Sequence, residues 1–421
     1  MRINLIIISI FFSNITLATE YIVELKNGLT PSPLLVKLAQ RNFNVLGKEY
    51  IIINQKISAK KFNEISLIEE NFPVELFNTD VYSPDVVDFS KQWAFENKGN
   101  NEPVSLDQMS PVKGVKGADL NMLKAWNITK GHKDVVIAVI DTGVKWDHPE
   151  LKSNMWVNSL EKNGQKGIDD DGNGYIDDIY GYDFSENDSD PMDEYGHGTH
   201  CAGIIGATHE SGKIAGVMNK VSLMAVRMMD HKGRGKTEQS IKAVGYAVEN
   251  GADVLSNSWG SRRHSKILEG ILSKANDMGI VVVAAAGNSR FNDNDKIPTY
   301  PANYQVENII SVAAFNARDR HSAYSSYGKK TVHVAAPGTN IISTYIKKKR
   351  KKEIYKVASG TSMAAPYISG LVGLLLSITN EYTPLEIKQR LITTSVPVAH
   401  MEDKSVSGGR VNAESFLNIT N

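Results

Sequence analysis

Apolar runs that alternate with helical segments dominate the centre of this chain of 421 residues. The clearest run, residues 135–140, reads Val-Val-Ile-Ala-Val-Ile, and Asp141 follows it. An unbroken apolar run of this length is typical of a parallel strand that is buried on both faces. Further apolar runs and helical segments follow in alternation, at residues 221–229, 237–250, 252–258, 266–278, 280–286 and 308–315. This alternation predicts an α/β fold, a mostly parallel sheet with helices on both faces.

Three short motifs on this framework contain the residue types of nucleophilic catalysis. Ser362 lies in Gly-Thr-Ser-Met-Ala-Ala-Pro, directly before an apolar helical run over residues 367–378. The start of a helix offers free N–H groups and the positive end of the helix dipole, which favour an oxyanion beside a serine. His197 lies in Gly-His-Gly-Thr-His, and Asp141 ends the first buried run. Taken singly, these residues also suit a helix cap, a helix-start histidine and a loop-capping acid.

The order Asp141, His197, Ser362 is one of the known orders of the serine triad. With the three motifs in this order, the sequence resembles the subtilase family of subtilisin-like serine endopeptidases over roughly residues 89–417. The resemblance implies that Ser362 is the nucleophile, that His197 is the general base and that Asp141 orients the imidazole. Asn288, which follows a buried run in Ala-Ala-Ala-Gly-Asn-Ser, matches the family's oxyanion donor. An asparagine that only forms its own turn is the alternative.

The resemblance also implies that a protein or peptide substrate binds as an added strand. Gly233 and Gly235 resemble one of the two edges that flank the peptide, and Ser258, Trp259 and Gly260 resemble the other. Main-chain pairing of this kind gives affinity with little demand on sequence, so the pockets set the preference.

Two residues match positions that line the primary specificity pocket of the family, Ser289 and Thr299. Because neither is charged, we expect broad specificity with an apolar preference at P1, the residue whose carbonyl is attacked. Thr299 stands where subtilisin has glycine, which predicts a shallower pocket. The bond between Tyr300 and Pro301 matches a cis peptide bond of the family.

An acidic loop at residues 169–178 reads Asp-Asp-Asp-Gly-Asn-Gly-Tyr-Ile-Asp-Asp. Oxygen ligands at alternate positions and a glycine at the sixth position suit calcium, and a solvated acidic loop is the alternative. Tyr180 occupies the twelfth position, where an EF-hand has glutamate, so this is not a true EF-hand. By resemblance, Glu150 stands where subtilisins have a carboxylate ligand of another calcium site. The predicted ligands of a structural Ca²⁺ are Asp169, Asp171, Asn173, the carbonyl of Tyr175, Asp177 and Glu150.

The first 84 residues predict two removable segments before a catalytic domain at 85–421. Residues 1–18 combine Arg2, a short apolar run and small residues, which predicts a signal peptide and secretion to an extracellular or periplasmic space. A retained membrane anchor is the alternative. Residues 19–84 predict a small α+β unit with strands at 21–25, 50–53 and 77–82 and helices at 33–41 and 58–70.

This small unit resembles the ferredoxin-like propeptide of subtilases. The resemblance implies a folding helper and a temporary inhibitor of the enzyme, so the protein would be made as a zymogen. A permanent N-terminal binding domain is the alternative.

The composition of the chain limits the kinds of binding partner that we expect. The formal net charge is zero, so no overall charge favours nucleic acid or an anionic membrane. No later segment is long and apolar enough for stable membrane insertion.

Cys201 is the single cysteine and cannot form an internal disulfide; we expect it to be a buried bystander near His197. We expect a monomer whose partners are its substrates and its own propeptide.

These patterns favour a secreted, self-processing serine endopeptidase that acts through an acyl-enzyme. A catalytically silent peptide-binding protein on the same fold is one alternative, but it would be expected to lack a triad residue. A dedicated maturation protease for one partner is the other, and the uncharged pocket weighs against it. The sequence leaves both open.

Overall fold

The computed structural model describes residues 21–26, 28–45, 48–70, 84–210, 212–347 and 354–419. The chain divides into two compact units, one within residues 1–80 and the other within residues 81–421. The predicted signal peptide and the strand predicted at 77–82 lie outside the described residues.

The small unit consists of β1 (Tyr21–Leu25), helix α1 (Pro33–Leu38), β2 (Ala39–Val45), β3 (Lys48–Ile53) and β4 (Ile65–Glu70). Its four strands form an antiparallel sheet with the strand order β2-β3-β1-β4. Its apolar core includes Val23, Leu35 and Ile53, none of which is exposed to solvent. The strand order is the one that a ferredoxin-like sheet would have.

The prediction of a helix at residues 58–70 is wrong. A short 3₁₀ turn, Ala59–Lys61, is followed by strand β4, which pairs with β1. The apolar residues Ile65 and Ile68 are three positions apart, a spacing that suggests a helix. A register shift between Glu24 and Leu25 of β1 lets both isoleucines contribute to the same core, because a β-bulge displaces the alternation by one residue.

The large unit is built on a sheet that contains ten strands in the described part of the chain. The strands of the large unit, including two separate hairpins, are β5 (Asn101–Pro103), β6 (Met109–Lys113), β7 (Val136–Asp141), β8 (Gly181–Asp183), β9 (Ser222–Arg227), β10 (Val254–Asn257), β11 (Val281–Ala285), β12 (Ile309–Asn316), β13 (Arg320–His321), β14 (Val334–Pro337), β15 (Ile341–Thr344), β16 (Tyr355–Ala358), β17 (Val396–Pro397) and β18 (Gly409–Arg410). The central strand order of the sheet is β14-β12-β11-β10-β7-β9-β8, and all of these neighbours are parallel, as predicted.

Helices cover both faces of this sheet, which confirms the predicted α/β class. Along β7, Ile137 and Val139 face one apolar core, whereas Ala138 and Ile140 face the other. The α-helices of the large unit are α2 (Met122–Ile128), α3 (Ser159–Asn163), α4 (His197–Gly206), α5 (Thr237–Glu249), α6 (Lys266–Asp277), α7 (Thr361–Leu376), α8 (Pro384–Thr393) and α9 (Ala413–Leu417). Helices α4 and α7 contribute to the first core, and α5 and α6 contribute to the second.

Helix α7 begins six residues before the predicted apolar run and therefore includes the serine motif. It is buried along almost its whole length and contacts the central strands of the sheet. None of the described helices has the length and apolar character needed to cross a bilayer.

Candidate active site

The ends of three elements bring Asp141, His197 and Ser362 to one edge of the sheet. Asp141 is the last residue of β7, His197 is the first residue of α4, and Ser362 is the second residue of α7. Loops that follow parallel strands meet at the carboxyl edge of the sheet, where α/β proteins place their sites.

Glycines in the histidine motif allow this close approach. A Cβ on Gly198 would lie 2.1 Å from the carbonyl oxygen of Gly143, in the loop after Asp141. Gly196 has φ 103° just before the helix, and a Cβ there would meet the ring of Tyr345. Larger residues at either position would push the helix start away from the aspartate.

The carboxylate of Asp141 and the imidazole of His197 are directly hydrogen bonded. The distance from Asp141 Oδ1 to His197 Nδ1 is 2.7 Å, and only 1% of the Asp141 side chain is exposed. Burial lowers the pKa of His197, but the neighbouring carboxylate outweighs it, so the pKa lies well above its usual value. The contact directs Nδ1 towards the acid and leaves Nε2 as the nitrogen that can accept a proton.

The hydroxyl of Ser362 donates a hydrogen bond to the carbonyl oxygen of Ser258 at 3.0 Å. It must turn towards His197 before a proton can pass between them, and such rearrangements are common when a substrate binds. Pro366 lies one helical turn later and has no N–H for the carbonyl of Ser362. That carbonyl instead accepts the hydroxyl of Ser258 at 2.9 Å and the thiol of Cys201 at 3.4 Å.

Cys201 is buried beside the triad, as expected. Its sulfur lies 4.0 Å from His197 Nδ1, and burial raises the pKa of the thiol. A thiol held in the neutral form is a poor nucleophile, so the geometry favours a packing role.

The side chain of Asn288 is anchored to the start of α7. Its Oδ1 accepts the backbone N–H of Thr361 at 2.8 Å and the hydroxyl of Thr361 at 3.0 Å. These two bonds use the oxygen and leave the Nδ2 group available as a donor, and Asn288 is one of the residues that line a cavity beside Ser362. A Cβ on Gly360 would lie 3.3 Å from Nδ2, so glycine leaves room for the amide.

A pocket of about 320 Å³ opens beside Ser362. Its wall includes Ser289 and Thr299, the two residues predicted for a specificity pocket. It also includes Ser258, Trp259 and Gly260, which were predicted as a substrate edge. Thr299 packs closely against Gly260, where a Cβ would lie 3.0 Å from Thr299 Cγ2. The Tyr300–Pro301 bond is cis, as predicted. Sequence reasoning missed Ser261, Arg262 and Ala285, which also line the pocket.

Gly233 and Gly235 are not among the residues that line this pocket. Gly233 has φ 71° in a turn, and a Cβ there would lie 3.2 Å from the Tyr195 ring. A Cβ on Gly235 would lie 2.8 Å from the carbonyl oxygen of Met228. Their role as the second substrate edge stays a prediction.

The acidic loop brings together a different set of carboxylates from the predicted one. Among the described residues it gathers Glu161, Asp171 and Asp178, with ligand atoms within 4.8 Å of one another. Asp171 is the one member that was predicted. Glu161 was missed because it lies in α3, upstream of the loop, and Asp178 because it falls outside the alternating positions.

The other predicted ligands of the loop have different neighbours. Asp169 accepts the N–H groups of Gly172 and Gly174, and Asp177 accepts that of Gly167. Asn173 donates to both Asp171 and Asp178 at 3.0 Å, and the Tyr175 ring packs among other aromatic rings. Their role as metal ligands stays a prediction.

Glu150 lies apart from the loop and is buried. Its Oε1 accepts the backbone N–H of Lys213 and the hydroxyl of Tyr355, and burial raises the pKa of the carboxyl. Its Oε2 has no hydrogen-bond partner within the described part of the chain. Glu150 as a calcium ligand also stays a prediction.

The family assignment follows from comparison with known proteins. The profile of the subtilase family matches residues 132–414, a segment that includes all three triad positions. The chain therefore belongs to the subtilase family.

Named relatives are similar over the same region. A thermophilic serine proteinase of Bacillus sp. (strain AK1) is 39% identical over 273 residues, which are 64% of this chain and 59% of that protein. Thermitase of Thermoactinomyces vulgaris is 39% identical over 255 residues, which are 60% of this chain and 78% of that protein. Subtilisin-like protease 2 of Plasmodium falciparum (isolate 3D7) is 31% identical over 310 residues, which are 72% of this chain but 22% of that protein. The match thus covers only part of each relative.

Proposed function

We propose that this protein is a serine endopeptidase that cleaves peptide bonds through an acyl-enzyme. The observation that carries the proposal is the 2.7 Å bond between Asp141 and His197 beside Ser362 at the start of a buried helix. Ser362 Oγ attacks the peptide carbonyl while His197 Nε2 takes its proton, and His197 then protonates the leaving amine. Asp141 stabilises the imidazolium that forms between these steps.

The negatively charged oxygen of the tetrahedral intermediate is stabilised by hydrogen-bond donors. The backbone N–H of Ser362 in the first turn of α7 and Nδ2 of Asn288 are the two groups that we assign to it. Water then attacks the acyl-enzyme, with His197 acting as base again. The same residues therefore serve both halves of the reaction.

We also propose that substrates bind as an added strand beside the Ser258–Gly260 edge. Residues 19–84 are proposed to inhibit the enzyme until they are cleaved, after secretion directed by residues 1–18. The four-stranded sheet of the small unit supports an independently folding N-terminal segment. The apolar P1 preference expected from Ser289 and Thr299 stays a prediction, which the rest of the pocket lining leads us to revise below.

A structural calcium ion is part of the proposal, and the carboxylates Glu161, Asp171 and Asp178 would hold it. Burial raises the pKa of Asp178 to about 6, and the charge of Asp171 adds to the rise. Carboxylate oxygens suit calcium, and a cation would relieve the repulsion between these groups.

Thermal unfolding in the Ser362→Ala background, which prevents autolysis, tests the calcium proposal. We expect added calcium to raise the Tm of the parent, and Asp178→Asn to lose most of this rise. Asp169→Asn is the matched control from the predicted loop set and should keep it. A Tm that does not respond to calcium and EDTA would contradict the site, and a loss confined to Asp169→Asn would favour the ligands predicted from the sequence.

The catalytic proposal is tested by the mass of the secreted protein and by casein hydrolysis, for wild type and Ser362→Ala. We expect wild type to lose the N-terminal unit and to digest casein, and the variant to do neither. A variant that matures and digests casein as wild type does would refute Ser362 as nucleophile. If both forms mature and neither digests casein, a dedicated protease or a silent binding protein becomes the better interpretation.

A further inference from the structure

The pocket beside Ser362 has one charged side chain in its described lining, that of Arg262. The other lining residues include the hydroxyl side chains of Ser258, Ser289 and Thr299. Ser289 and Thr299, the two residues predicted for this pocket from the sequence, carry no charge. Arg262 reaches the pocket from a different segment of the chain.

Hydrogen bonds hold Arg262 in place, both through the backbone of its neighbour and through its own side chain. Its neighbour Ser261 pairs with Tyr300 through two backbone hydrogen bonds of 2.8 and 2.7 Å. Its guanidinium donates from Nη1 to Asn292 Oδ1 at 3.1 Å. These bonds join the Ser261–Arg262 segment to the stretch of chain that contributes Ser289 and Thr299 to the same pocket.

Asn292 is itself buried and its orientation is determined by its own contacts. Its Nδ2 donates to Asn294 Oδ1 at 2.6 Å and to the carbonyl of Ile297 at 3.1 Å, so its oxygen must face Arg262. One donor of the guanidinium is therefore used by the protein, and a guanidinium has five.

Carboxylates that lie close to Arg262 or Asn292 in the sequence have other partners. Glu269 pairs with His264 at 3.1 Å, and Asp293 pairs with Lys296 at 3.1 Å. Asp295 accepts the hydroxyl of Thr331 and nearby backbone N–H groups. Among the described residues no acidic group forms an ion pair with Arg262, so its charge is uncompensated within the pocket wall.

We propose that Arg262 makes this pocket selective for an acidic side chain, so that the enzyme prefers glutamate over its neutral isostere glutamine at P1. The inference deepens the proposed endopeptidase function and rests on it. The hydroxyls of Ser289 and Thr299 offer further donors to a carboxylate, while Trp259 and Ala285 can pack on its methylene groups. This replaces the expected apolar preference at P1.

Matched peptides that differ only at P1, with glutamate, glutamine or leucine, test the proposal. We expect kcat/KM for the glutamate peptide to exceed that for the glutamine peptide about fivefold, the effect of a solvent-accessible ion pair. High salt should reduce this ratio, because ions screen such a pair. The glutamate–glutamine comparison isolates charge because the two side chains have the same shape.

Arg262→Gln should bring the ratio to about one, whatever its effect on the overall rate. Arg263→Gln is the matched control, because Arg263 is an exposed neighbour that does not line the pocket. It should keep the wild-type ratio. A wild-type ratio of one or less, or a ratio that survives Arg262→Gln, would overturn the proposal.

Peptide binding to the Ser362→Ala variant separates this inference from the catalytic one. The dissociation constants of the glutamate and glutamine peptides should differ in the same direction, and Arg262→Gln in that background should abolish the difference. Labelling of Ser362 by a fluorophosphonate tests the nucleophile independently. A failure of labelling and hydrolysis with a preserved binding preference would refute the catalytic proposal alone, whereas labelling and hydrolysis without any preference would refute the role of Arg262.

Discussion

Asn288→Asp separates the structural contact of this side chain from the catalytic role that we propose for it. Aspartate keeps an oxygen where Asn288 Oδ1 accepts the N–H and hydroxyl of Thr361 at 2.8 and 3.0 Å. It replaces the Nδ2 donor by a second oxygen. The variant should therefore fold normally but lack one of the two donors to the oxyanion.

The expected magnitudes follow from these contacts. Loss of one oxyanion donor raises the barrier by about 3–4 kcal/mol, so kcat should fall about 10²–10³-fold with a smaller change in KM. The negative charge of aspartate should deepen the loss. Asn288→Ala removes the acceptor as well and leaves the N–H and hydroxyl of the fully buried Thr361 without it. The free energy of unfolding of this variant should therefore fall by about 1–2 kcal/mol.

Steady-state hydrolysis of a peptide substrate gives kcat and KM for the two variants. Urea unfolding, carried out in the Ser362→Ala background to prevent autolysis, gives their stability. A kcat for Asn288→Asp within about threefold of wild type would refute the proposed donor, since oxyanion donors are worth far more than that. An Asn288→Ala variant as stable as its parent would refute the anchoring of Thr361.

Two further predictions concern stability. Burial, with a smaller contribution from a neighbouring lysine, lowers the pKa of His333 to about 3, and its Nδ1 accepts the N–H of Ser311. His333 therefore contributes its full stabilisation at pH values above about 6.5, the pKa of histidine in the unfolded chain. As the pH falls below that value, the free energy of unfolding decreases by up to about 1.4 kcal/mol per pH unit. His333→Asn should make the free energy of unfolding in urea fall less steeply between pH 6.5 and 5, by roughly that slope. An unchanged slope would contradict a histidine that is kept neutral in the folded state. Separately, a Cβ on Gly370 would lie 2.6 Å from Val217 Cβ, so Gly370→Ala should cost about 1–3 kcal/mol in urea unfolding. Gly245→Ala is the control, because no atom lies within 4 Å of a Cβ there, and it should stabilise α5 by up to about 1 kcal/mol; equal effects at both sites would contradict the packing argument.

The triad and most of the pocket were predictable because each motif combines local sequence with a local structural task. Asp141 ends an apolar strand, and His197 and Ser362 begin helices, so their places in the sheet follow from the order of the elements. The small unit was less predictable. The spacing of Ile65 and Ile68 fits a helix, and only pairing with β1 makes the segment a strand.

The cluster of carboxylates formed by Glu161, Asp171 and Asp178 shows the same limit. Asp171 was predicted from spacing within one loop, but Glu161 comes from a separate helix that turns its carboxylate towards the loop. Spacing along the chain carries no information about a ligand whose position depends on how two elements pack.

The sequence by itself determined the class of fold and the positions along the chain of the apolar runs that form the parallel strands. It also determined the identity of the candidate nucleophile, base and acid. Those features depend on hydrophobic periodicity and on motifs of a few residues. The tertiary structure alone decided which groups surround them. It directs the Ser362 hydroxyl to Ser258, uses Thr361 to orient Asn288 and places the charge of Arg262 in the pocket. These contacts join residues up to 104 positions apart, and such pairs come together only when the whole sheet has packed.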